Sequence, residues 1–231
     1  MSRADEFSTG AKSPVSKYLQ WDSAEKTFKY YNKEASKNEY IKIPTQFVVL
    51  KEMATISGFH EPTQSGIYSN EVSTLNLKTQ ELTVKTSKGL TIAKGIYGDI
   101  KPILATSGAK FAMSVYALMN GELVCLKLSG SSFSAWYDFV AENRKAFLSN
   151  VVSILSVEDK KKGATKYSQP VFSLGANIPA GDNDKAEVAY AELVSYMKGR
   201  DSKPEVAEVV HAEEVVSPKF GDAPEVSDLP F

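Results

Sequence analysis

Apolar and polar positions alternate along this chain in short runs broken by turn residues, the pattern of half-buried strands. Runs at 25–31, 39–43, 46–57, 67–77, 80–86, 90–97, 110–119, 122–129, 150–158 and 167–174 predict strands over most of residues 18–178. Two segments switch to helical spacing. Trp136, Phe139, Val140 and Phe147 fall on one helix face, with Ser134 placed to cap it and Asp138, Glu142 and Arg144 left for solvent. A second helix near 184–199 follows Asp182, carries Glu187 early and ends at Lys198-Gly199, an order that suits the helix dipole. Residues 1–15 read as a loose arm, 16–180 as a β-rich body, 181–200 as the C-terminal helix and 201–231 as a disordered acidic tail.

Asn120-Gly121 marks the best-defined hairpin, because a two-residue type I′ turn needs positive φ at both positions. That turn sets Ala117 opposite Val124, Val115 opposite Leu126 and Met113 opposite Leu128, one apolar face. Ser114, Tyr116, Cys125 and Lys127 then point the other way. The same alternation turns Tyr40 and Lys42 outward from Ile41 and Ile43, and Thr83 and Lys85 outward from Leu82 and Val84. Near Gly95 the strand is expected to bend, with Lys94 and Tyr97 outward.

Composition narrows the class. Apolar residues at 42% and aromatics at 10% supply a real core, which excludes wholesale disorder. No apolar run reaches the ~18 residues of a membrane span, and the acidic opening MSRADEFSTG is not a secretory signal. Cys125 is the one cysteine, so no internal disulfide forms, and no Asn-x-Ser/Thr acceptor occurs. A reducing, cytoplasmic setting is expected, in the host cell if the chain is viral.

Charge is divided along the chain. Residues 201–231 hold eight acids against two lysines, a net of −6, which leaves 25 basic and 20 acidic residues, +5, on residues 1–200. A basic body meets polyanions and an acidic tail is repelled by them; a solubilising tail on an ordinary domain is the plainer reading. An outward face that interleaves tyrosine and lysine suits unpaired nucleic acid, since rings stack on bases at ~1–3 kcal/mol each and lysines displace counterions from phosphates. The candidate stacking residues are Tyr40, Tyr97 and Tyr116, with Trp21, Phe59 and Tyr68 beside them. Lys42, Lys85, Lys94, Lys101, Lys127 and the turn Lys160-Lys161-Lys162 would track the backbone. A solvated sheet face also shows this mixture, and charged hairpin tips are often simply solvated.

Other chemistry is poorly supplied. His60 and His211 are the only histidines, too few for a triad or a zinc site, and His60 in its turn reads as solvated or as a nucleotide contact. Lys127 beside Cys125 could lower the thiol's pKa, against the commoner fate of packing on Tyr116. Asp182-Asn183-Asp184 lacks the glycine and closing glutamate of a calcium loop and serves as a helix start. With no Gly-rich phosphate loop either, no catalysis, cofactor or metal is expected.

The chain closes on Asp228-Leu229-Pro230-Phe231 after an acidic run. In physical terms this is a docking peptide: a ring for an apolar pocket, a carboxylate for a basic partner, and a proline that lowers the entropy of ordering. The ending resembles the C-terminal tip of bacterial and phage single-stranded-DNA-binding proteins. That resemblance implies an OB-like β-barrel body, sequence-independent binding of single-stranded DNA, and recruitment of replication and recombination enzymes by the tip. The stretch from Ile43 to Leu50, followed by Gly58-Phe59-His60 and Ser65 to Glu71, is similar to the opening of OB-type proteins of tailed phages of Bacteroidetes. The body departs from the bacterial pattern, which has a shorter barrel and a long Gly/Gln-rich linker; the longer plan implies a monomer or homodimer. The rival expectation is a β-sandwich interaction or virion protein, for example a carbohydrate-binding module using the same tyrosines.

Overall fold

The computed structural model describes residues 12–201. Twelve strands form a mixed sheet system with three helices. In chain order the strands are β1 (Lys17–Asp22), β2 (Thr27–Asn32), β3 (Lys37–Tyr40), β4 (Thr45–His60), β5 (Ser65–Ser69) and β6 (Val72–Ser73). There follow β7 (Leu82–Thr86), β8 (Thr91–Gly95), β9 (Ala109–Met119), β10 (Glu122–Ser129), β11 (Asn150–Lys162) and β12 (Thr165–Asn177). The helices are α1 (Tyr97–Ser107), α2 (Ser131–Asn143) and α3 (Ala180–Asp201). Among the described residues, no helix is long and apolar enough to cross a membrane.

The main sheet runs β3-β2-β1-β10-β9-β4-β5-β7-β8. β1 and β10 pair in parallel, whereas the other pairs are antiparallel. β4 is the spine: Val48–Gly58 pair with β9, Ser57–His60 with β5, and Thr45–Phe47 with β11. It therefore belongs both to the main sheet and to the β11–β12 sheet. The hydrogen-bonded path ends at β3 and at β8, which do not pair with each other, so it is open rather than the closed barrel the sequence suggested.

The Asn120-Gly121 turn forms with φ of 53° and 78°, and the predicted partners across it are the observed ones. Its Val115–Leu126 face joins Leu19, Phe28, Ala54, Ile56, Leu82 and Val84 in the main core. α2 closes that core. Trp136 stacks at centroid distances of 5.3, 5.9 and 4.9 Å from Phe139, Phe147 and Phe172, and its indole N–H donates to Glu52 Oε1 at 2.6 Å. The helix begins three residues before Ser134, whose hydroxyl bonds back to the carbonyl of Gly130 instead of capping. Ser132 supplies the local closure, exchanging hydrogen bonds with the backbone of Ser129.

Three expectations are corrected. The segment from Tyr97 is a helix, not the end of a strand: Tyr97, Ile100 and Leu104 recur at helical spacing and are buried, and Tyr97 packs edge-on against Phe111 at 5.1 Å. Gly108 ends α1 in the left-handed region, and a Cβ there would lie 2.3 Å from the carbonyl of Phe59, so glycine permits the close approach of β4 to this turn. The last residues of the supposed arm are seated, since Val15 is buried against Leu193 and Met197, and the Ser16 amide donates to Leu123. β1 (Lys17–Asp22) is not among the predicted strands, the first of which starts at residue 25. The remainder of the arm and the tail lie outside the described residues.

Candidate functional site

Pleating and register decide which side chains share a surface. Cross-strand partners point to one side, so Tyr40, paired with Lys29, and Lys29, paired with Gln20, lie on one outer face of β3, β2 and β1. Tyr31 and Tyr18, two residues on from Lys29 and Gln20, join them, while Leu19, Trp21 and Phe28 face the core. Tyr18, Tyr31 and Tyr40 keep 44%, 44% and 46% of their surface exposed, unusual for three rings on one small face. Lys29 sits among them and pairs with Asp22 at 2.9 Å.

On the other side of the same strands, the side of Leu19 and Val124, a groove of about 530 Å³ is lined by Lys17, Tyr30, Tyr40, Lys42, Gln46 and Glu122. Lys17 pairs with Glu122, and its ammonium stands 5.3 Å from the centroid of the Tyr30 ring. Two predicted residues, Tyr40 and Lys42, thus meet two that the sequence reading did not single out.

The outer face continues through β10, where Tyr18 pairs with Cys125, and through β9 and β4 to a second flank. There Tyr68 pairs with Lys85, Ser57 with Lys110, and Thr83 with Lys94. Tyr68 and Lys85 are half-buried; Lys94 and Lys110 are exposed. Between the flanks the face is covered by α3. Tyr116, 3% exposed, and Cys125 pack with Met53, Leu123, Leu193 and Met197. The expectation that Tyr116 stands open on the surface is therefore corrected, and so is that for Tyr97, 7% exposed in the first turn of α1.

A polar cluster lies under the helix. Glu71 accepts from Tyr116 Oη at 2.6 Å, from Lys127 Nζ at 2.8 Å, from Ser114 Oγ, and from Arg200 Nη1 of α3 at 3.2 Å. Burial alone would raise the Glu71 carboxyl; the Lys127 charge and the converging donors override it and hold the pKa at about 2. Lys127 is likewise raised, burial being outweighed by its anionic neighbours, so this lysine is committed to Glu71 rather than open to a phosphate. The Cys125 thiol, fully buried, is pushed up to about 12 by desolvation, which overturns activation by Lys127.

The remaining predicted residues are scattered. Trp21 packs edge-on with Phe28 at 5.1 Å and donates its N–H to the carbonyl of Ser168, a structural use. Phe59 is half-buried at the end of β4, and Lys101 is exposed on α1. His60 Nδ1 lies 2.8 Å from Thr63 Oγ1 within its turn. Lys160, Lys161 and Lys162 stand at the far end of the β11–β12 hairpin, Lys160 pairing with Glu158 at 3.3 Å. Asp182 and Asp184 fall in the first turns of α3. Asp228, Leu229, Pro230 and Phe231 lie outside the described residues.

The missed residues left a faint trace in the sequence. Tyr18-Leu19-Gln20-Trp21 alternates, but β1 is short and borders the arm; the doublet Tyr30-Tyr31 hides which ring of β2 points out. The chain matches no protein-family model, no curated protein and no solved structure.

Proposed function

We propose that this chain is a non-enzymatic, sequence-tolerant single-stranded-DNA-binding protein with an OB-like body. The observation that carries the reading is the outer face of β1–β3, where Tyr18, Tyr31 and Tyr40 stand open around Lys29. Rings left in water at this density gain by stacking on bases, which is sequence-tolerant because every base has a π-face. The lysines of the Tyr68–Lys85 flank lie on the same outer face, and Lys160, Lys161 and Lys162 offer a separate basic patch at the end of the β11–β12 hairpin. A long spine strand shared by two sheets around one core is the feature that favours an OB-like, partly open arrangement. The acidic segment closed by Leu229-Pro230-Phe231 supports a separate role in docking replication or recombination enzymes.

A mobility-shift assay with oligo-thymidine at low ionic strength tests the reading, with a neutral polysaccharide as competitor. Retardation at micromolar protein that fades steeply with salt and ignores the sugar is expected. Lanes without retarded oligomer, or displacement by the polysaccharide, would remove it in favour of a carbohydrate-binding surface.

A further inference from the structure

The two open flanks of the outer face are separated only by α3, and its attachment is slight. The helix is seated through Ala186, Ala189, Leu193 and Met197, with Tyr196 packed beside them; of these only Leu193 is wholly buried, whereas α2 drives Phe133, Trp136, Phe139 and Val140 into the core. Its polar attachment is at its last turn, where Arg200 donates to Glu71. Beneath it the sheet presents a tyrosine, a lysine and a cysteine, and Lys127 reaches out to the ring of exposed Tyr18 at 5.7 Å. The covered centre thus shares a tyrosine and a lysine with the flanks, set among Met53, Leu123, Val48 and Leu118.

We propose that α3 is a displaceable cover, latched by Arg200 on Glu71, which opens by local unfolding and joins both flanks into one binding surface. Removing the helix leaves no charge stranded. Glu71 loses Arg200 but keeps Lys127, Ser114 and Tyr116, so the buried carboxylate stays satisfied while the rest of the cluster meets water. Few anchors for a helix of 22 residues and a replaceable latch are the features of a low-stability unit that opens without the whole fold. The ligand of the uncovered surface rests on the nucleic-acid reading above; the opening itself does not.

Cys125 is a built-in reporter, since it is the only cysteine and is wholly buried under α3. In the full chain, its labelling by a thiol reagent is followed from zero to moderate urea, together with the unfolding midpoint. A local cover gives a labelling rate that is flat in low urea and at least ten-fold faster in Arg200→Gln, in which it stays flat in low urea while the midpoint falls only by the loss of the same latch. Oligo-thymidine that binds by fluorescence anisotropy should accelerate labelling further. The cover is overturned if labelling follows the global unfolding curve in parent or variant, or if Arg200→Gln leaves the low-urea rate unchanged. Bound oligomer that leaves the rate unchanged also overturns it, because the strand then bypasses the covered centre. Absence of any anisotropy change would instead remove the nucleic-acid reading, and the urea and Arg200→Gln results alone would decide the cover.

Discussion

Two carboxylates show how neighbours set a residue's behaviour. Glu52 is buried with the Trp136 indole as its hydrogen-bond donor, and desolvation raises its pKa above the ordinary value. Its folded form holds a proton more tightly than the unfolded chain, so its contribution becomes more favourable as pH falls through the folded pKa. At neutral pH the charge is a burden, and Glu52→Gln, which keeps an acceptor for the indole, should raise the urea midpoint. Glu71 has the opposite sign. Its pKa of about 2, against an ordinary 4.5, gives stability that is present above the unfolded value and lost as pH falls from about 4.5 toward 2. The effect is on the order of 3 kcal/mol. Glu71→Gln should therefore lose stability at pH 7 and flatten the acid limb of an unfolding-midpoint profile. A variant whose acid limb matches the parent's would contradict the role of this cluster.

At the level of elements, the legible parts were those governed by one local rule. The Asn120-Gly121 turn fixed its own register, and both β11 and β12 were foreshadowed by apolar runs, although each extends several residues further as a hairpin. Elements that depend on what covers them were harder to read. β9 is apolar on nearly every position from Phe111 to Met119, the mark of a strand buried on both faces, yet period-2 reasoning assigned Ser114 and Tyr116 to an open side. The cover lies some 70 residues downstream in α3, beyond the reach of any local pattern. α1 was hidden by Gly98 and Pro102, which argue against helix by propensity, although Tyr97, Ile100 and Leu104 kept the helical period. Tertiary burial outweighed propensity there. The α2 contact with the core should dominate stability: Trp136→Ala is expected to cost about 3–5 kcal/mol, read as a drop in urea midpoint. The hairpin carrying Lys160, Lys161 and Lys162 is exposed at its far end, so replacing all three by glutamine should leave that midpoint in place. The same change should lower the salt slope of oligonucleotide binding by about 2, at ~0.7 per phosphate contact on a single strand.

Taken whole, the molecule divides its labour between two faces. The inner face and α2 hold the main core, whereas the outer face buries Tyr116 under α3 and leaves Tyr18, Tyr31 and Tyr40 in water on its flank. The candidate surface was only partly legible in sequence, because the Tyr/Lys mixture identified the kind of surface but not its place. Tyr40 and Lys42 stayed open, Tyr116 and Lys127 went under α3, and Tyr18 and Tyr31 emerged as the exposed rings. These three tyrosines make the account testable without disturbing the fold. The decisive measurement is fluorescence anisotropy of labelled oligo-thymidine across a salt series, comparing the parent chain with a Tyr18→Ala, Tyr31→Ala, Tyr40→Ala triple variant of unchanged unfolding midpoint. At ~1 kcal/mol or more per ring, the triple should bind on the order of 100-fold more weakly while keeping a similar salt slope. A parent that fails to bind at low salt, or a triple variant that binds as tightly as the parent, would contradict the claim that this face grips an unpaired strand.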